Sequence, residues 1–143
     1  MSAAATITAK RSGVYRVPAR IAALRKAAGT AGLAWIDLPL HAVVDRKQFF
    51  KMCATQLKLP TYFGGNWDAL ADCVRDFSWL SGWKGCVLHL SGSEKFAKAS
   101  ADDYQTALAV LAQAADFWKG KGMPFLVFVD GGRDLPAYEQ LTS

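Results

Sequence analysis

Pro124-Phe125-Leu126-Val127-Phe128-Val129 is apolar at every position. A strand with one wet face alternates apolar and polar residues, so a run with no polar position belongs to a sheet covered on both faces. Lys84-Gly85-Cys86-Val87-Leu88-His89-Leu90 reads as a second core strand, and Leu33-Ala34-Trp35-Ile36-Asp37-Leu38, ended by Pro39, as another. Helical patterns separate the three. Alternating strands and helices fold as an α/β domain, with a small three-stranded parallel sheet packed with helices.

Working outward, Asp45 is a good N-cap for a helix from Arg46 to about Leu57, with Phe49, Phe50, Cys53 and Leu57 as its apolar stripe. A short helix is expected over Glu94–Ala99. Asp102 is expected to cap a long helix reaching about Trp118, whose stripe is Tyr104, Leu108, Leu111 and Ala115, with Gly120 and Gly122 ending it. Ahead of the core, Gly13-Val14-Tyr15-Arg16-Val17 reads as a short strand. Pro18 suits the first turn of a helix to about Ala28, with Gly29 as its stop. Residues 1–12 read as a flexible lead-in and the last ten or so as a tail. The aromatic residues Trp35, Trp79, Trp83, Phe117 and Trp118 are expected in helix–sheet packing.

The 143 residues fit one domain, and 52% hydrophobic against 20% charged residues suits a packed core. No apolar run approaches the ~20 residues of a membrane-spanning helix, and the N-terminus lacks the pattern of a secretion signal. Three cysteines without a C-x-x-C pair fit neither a disulfide framework nor a zinc site, so reduced, buried thiols and a cytoplasmic location are expected. The net charge is +5, but residues 1–30 hold Lys10, Arg11, Arg16, Arg20, Arg25 and Lys26 and no acid. The rest carries 11 bases against 12 acids. The chain thus divides into a basic N-terminal extension, 1–30, and a near-neutral body, 31–143, and whole-domain basicity is no argument for nucleic-acid binding.

The stretch Leu59-Pro60-Thr61-Tyr62-Phe63-Gly64-Gly65-Asn66 is a loop, because of its proline and paired glycines. Asn66 caps a helix of about Trp67 to Phe77. Leu70, Cys73, Val74 and Phe77 gather on one side of it, while Asp68, Asp72 and Asp76 form a carboxylate stripe opposite, with Ala71 and Arg75 beside it. Asp68 suits the positive end of the helix dipole. Asp72 serves no cap and is a weak helix former, and Asp76 sits at the unfavourable end. Folding stability asks for neither, which points to a functional face or to a solvated one.

From Leu59 to Cys73 the chain meets the pattern L-P-x-Y-[FY]-G-x-N-x-D-A-L-x-D-C at 15 contiguous positions. This resembles the signature of the barstar family of bacterial ribonuclease inhibitors. The resemblance implies an intracellular protein whose loop and helix occlude the basic active site of a small basic, secreted-type ribonuclease or a related nuclease or toxin, with carboxylates in place of substrate phosphates. It implies partner contacts from Tyr62 and Gly64 and inhibitory roles for Asp68 and Asp72, Asp72 lying deepest. Asn66, Trp67, Ala71, Asp76 and Phe77 complete the expected partner-binding set. Trp67 is equally a contact anchor or a packing residue. Ala71 and Phe77 stand where the family's type member carries tryptophans.

An enzyme is the first rival, but no cluster of His, Cys or Glu accompanies the acids, and His41 and His89 are isolated. No catalytic residue, metal or cofactor is expected, nor a membrane or nucleic-acid partner. A barstar-fold interaction module without nuclease inhibition is the serious alternative.

Overall fold

The computed structural model describes residues 7–132 and 134–138. Its centre is the strand β4 (Phe125–Val129), buried at all positions. Beside it runs β3 (Cys86–Ser91), and beside that β2 (Ala34–Pro39), all parallel. The sheet is not limited to these three strands. The chain's first strand, β1 (Gly13–Arg16), pairs in parallel with the free side of β4, Gly13 opposite Leu126 and Arg16 opposite Val129. The order is β1-β4-β3-β2. Three apolar runs left β4 with a bare side, and Val14 and Tyr15, too mixed to signal a buried strand by themselves, fill it.

The alternation of β4 divides the molecule. Phe125, Val127 and Val129 enter a large core with α2 (Arg46–Gln56), α3 (Trp67–Cys73), α4 (Glu94–Ala99) and α5 (Ala101–Gly120). Leu126 and Phe128 face the other way, to Leu24, Ala27 and Ala28 of α1 (Ile21–Thr30). Both faces are therefore covered, as an all-apolar strand requires. The helical stripes read from sequence are buried: Phe49, Phe50, Cys53 and Leu57 in and just after α2, and Tyr104, Leu108, Leu111 and Ala115 in α5.

Several boundaries differ from the sequence reading. The helix after β1 begins at Ile21 rather than at Pro18, because Val17 N–H still donates to Val129 O and belongs to the sheet. It runs through Gly29 and closes where Gly32 takes a φ of +78° and Leu33 N–H returns to Ala28 O. Asp102 is not the cap of α5. Ser100 occupies that position, its amide ending α4 on Phe96 O while its carbonyl accepts from Tyr104 N–H to begin α5.

Residues 7–12 are no free lead-in, for Ile7 and Ser12 are buried and a 3-10 turn covers Ala9–Arg11. Ser12 Oγ accepts from Phe125 N–H at 3.0 Å. The supposed tail returns to the body, where Tyr138 packs edge-on against Tyr15 and Phe128 and lies under the Arg11 guanidinium. Residues 1–6 and 139–143 lie outside the described residues. Phe117 is 36% exposed, so of the five aromatic residues expected in packing it is the one on the surface.

Candidate functional site

The loop between α2 and α3 is held from beneath. Phe63 sets its ring edge-on against Phe50 at 6.1 Å, and Trp67 does the same at 4.7 Å while lying 6.0 Å from Phe49. These contacts assign Trp67 to packing on its inner side, although it remains half-buried. Phe63 N–H donates to Pro60 O, and Gly65 turns the chain at a φ of +68° that glycine alone adopts without strain. Asn66 then caps α3, its Oδ1 accepting from Ala69 N–H at 2.8 Å.

With the anchors beneath, the polar residues point outward. Tyr62 is 72% exposed, an unusual state for so large a ring. Gly64, Asn66, Asp68 and Asp72 are exposed on the same loop and helix, and Ala71 is half-buried against the core. Leu70 and Cys73 are buried on the inner side. The Asp72 carboxylate, 79% exposed, receives Arg75 Nη2 at 3.0 Å. Arg75 also donates from Nε to Ala71 O. The sequence placed Arg75 beside the acids; the ion pair shows that in the free protein it partly neutralises one of them.

Two expectations fail here. The helix does not reach Phe77 but stops at Cys73, and the next residues close tighter turns, with Asp76 N–H bonded to Cys73 O. The reason is Phe77 itself. It adopts a left-handed φ of +57°, and its ring stacks on Trp83 at 4.8 Å beside Trp79, Trp118 and Phe125. Being 1% exposed, Phe77 is core and offers nothing to a partner. Asp76 is therefore not the third member of a helical stripe. Its carboxylate accepts from Ser78 N–H and Oγ in a local turn, a structural task that suffices to explain it.

Cys73, the one thiol near the acids, is buried and faces the core. Burial raises its pKa, and the Asp76 and Asp72 carboxylates raise it further. Cys53 and Cys86 are wholly buried free thiols, also pushed well up by desolvation. Among the described residues no three His, Cys, Asp or Glu come together as metal ligands would. No helix among them is long and apolar enough to cross a membrane. His89 is not solitary: it packs against Trp35 and lies 3.7 Å from Asp37, on the α1 side of the sheet.

What remains is an exposed ridge of Tyr62, Gly64, Asn66, Asp68 and Asp72 on an apolar base. Such a ridge can fill a cleft in another molecule and present two carboxylates to its cations. A family model described as Barstar (barnase inhibitor) matches residues 33–130, from the start of β2 to just past β4 and through the whole ridge. No curated protein matches the chain.

Proposed function

The chain belongs to the barstar family, and on that premise we propose that it inhibits a small basic ribonuclease by lodging the ridge in the enzyme's active-site cleft. The observation that carries this is the split of one short helix. Asp68 and Asp72 are fully outward, while Leu70 and Cys73 between and beside them are buried. Two exposed carboxylates, Asp68 in the first turn and Asp72 paired with Arg75, are thus held on a helix whose other side is fixed in the core. A ribonuclease cleft gathers cations for the phosphates of RNA, and two fixed carboxylates satisfy the same cations without offering a scissile bond. Tyr62 adds a rigid ring at the rim, with little side-chain entropy to lose. The protein is then a binding module and no enzyme, and its buried free thiols favour a reducing, cytoplasmic setting.

The test is RNA cleavage by a barnase-type ribonuclease with the protein added at rising molar ratio. Inhibition should reach completion near equimolarity and recede as RNA increases. Asp68→Ala with Asp72→Ala should abolish it while the protein stays folded. Full activity of a range of such enzymes would make the chain an interaction module that has kept the fold without the inhibition.

A further inference from the structure

The far edge of the sheet carries a second surface. In β2 the amides alternate. Ala34 N–H donates to Gly85 O and Leu40 N–H to Ser91 O, so the even positions serve β3 and those of Trp35 and Asp37 point outward. The edge is guarded at one end only. Pro39 has no amide to offer, and the Asp37 carbonyl is taken by Gln56 Nε2 at 2.8 Å. Trp35 N–H, Trp35 C=O and Asp37 N–H face a cleft of about 340 Å³ floored by Ile36, Leu57 and Leu80. It runs on into a second of about 490 Å³, which shares Ala34, Lys58 and Leu80 and ends at Lys84.

Lys58 stands on the wall common to both. It occupies the residue after the C-cap of α2 at a φ of +53°, where Leu59 N–H returns to Ala54 O. Glycine is the usual occupant of that site, and a lysine there is strained. A strained residue kept where a freer one would serve points to work for its side chain. Lys58 and Lys84 are both exposed, and among the described residues no carboxylate pairs with either. The one acid of the cleft, Asp37, is engaged by Trp35 Nε1 and Arg25.

We propose that the β2 edge binds an extended, acidic peptide segment of a partner protein as an added strand. Its backbone pairs with Trp35 and Asp37, and its cleft-facing side chains are apolar over Ile36, Leu57 and Leu80 and acidic beside Lys58 and Lys84. This surface is separate from the ridge, and the inference does not rest on nuclease inhibition.

The probe is the capped heptapeptide Val-Thr-Glu-Thr-Val-Thr-Glu, whose valines and glutamates share one face of a strand, titrated into the full-length ¹⁵N-labelled protein and followed by amide shifts. Saturable shifts should appear at Trp35, Asp37, Lys58 and Lys84 and spare Asp68 and Asp72. N-methylation of the valine amides should abolish them. Lysine in place of the glutamates, or the double variant Lys58→Glu with Lys84→Glu, should weaken binding about tenfold. Lys58→Gly, which relieves the backbone, should raise the melting temperature and yet weaken binding about threefold. The inference is overturned by equal binding of the lysine peptide, by indifference to N-methylation, or by wild-type affinity in Lys58→Gly. It is equally overturned by no shifts up to about 1 mM, or by concentration-dependent shifts along β2 without peptide, which would make a second copy the occupant.

Discussion

Arg75→Ala should tighten the complex with a ribonuclease, because Arg75 competes for the carboxylate the enzyme needs. The Arg75–Asp72 pair spans 3.0 Å, and at that distance its full Coulomb energy in water is ~1.4 kcal/mol. Both side chains are exposed, so the net worth of the pair falls to ~0.2–1 kcal/mol. A nuclease cation docking on Asp72 must displace or share that interaction, and Arg75 left about 6 Å away repels it by a further ~0.7 kcal/mol in water. Removing Arg75 should therefore favour binding by ~1 kcal/mol, about fivefold in affinity. The variant also loses the Nε–Ala71 O bond and with it ~0.5 kcal/mol of folding stability. Surface-plasmon kinetics against a barnase-type ribonuclease separate the two effects, since a melting curve reads the second alone. The gain should appear at low salt, partly as faster association, and vanish near 1 M, where screening reaches ~3 Å. A complex weakened tenfold would make Arg75 a contact residue. An unchanged low-salt affinity would show that Asp72 does not meet a cation.

Asp72→Ala should shift the melting temperature little, because the lost surface pair and the gained helix propensity are each ~0.5 kcal/mol; a large drop by calorimetry would reveal a structural role. Phe77→Ala should destabilise by ~3 kcal/mol in urea unfolding, since a filled aromatic site is emptied; a near-neutral result would mean that relief of the left-handed backbone offsets the cavity. Deleting residues 1–12 should lower stability by a few kcal/mol, through loss of buried Ile7 and the Ser12–Phe125 bond; an unchanged melting curve would refute that. Native protein should react slowly with a thiol reagent at pH ~8.5 and at all three cysteines once unfolded. The raised thiol pKa values of Cys53, Cys73 and Cys86 mean that the folded state keeps protons the unfolded chain releases. Their contribution to stability is full below the unfolded thiol pKa of ~8.5 and fades as pH rises above it; stability that grew with alkalinity would contradict this.

The sequence was most legible where one signal sufficed. Asp45 and Asn66 are caps because each precedes an apolar helical stripe, and both carboxylate and amide oxygens accept the expected amides. The all-apolar β4 required cover on both faces and has it. Where several forces met, the reading failed. Helical spacing puts Phe77 on the inner side of a continuing helix, but an aromatic cluster drawn from the α3–β3 loop, α5 and β4 holds it in a left-handed turn. Asp76 followed Phe77 out of the stripe. The fourth strand was illegible as sheet because its short, mixed sequence signals nothing until β4 presents a free side. Ser12 and Tyr138 were invisible for the same reason, their partners lying across the fold. Of the ridge, the motif marks the exposed residues; Phe63 lies in the same motif, but its anchoring role depends on Phe50, a partner on another helix.

The pairing of β1 with β4 also orders events in time. Gly13 meets Leu126 and Arg16 meets Val129, so β1 has no place in the sheet until β4 has left the ribosome. The β2–β3–β4 unit, which the family match spans, can assemble from nearer neighbours, and closing so long a loop ahead of it would be slow. Once β4 is made, its free edge and the Leu126–Phe128 face stay open until β1 swings across and α1 settles onto them. A strand made long before β4 thus takes its place in the sheet only after it.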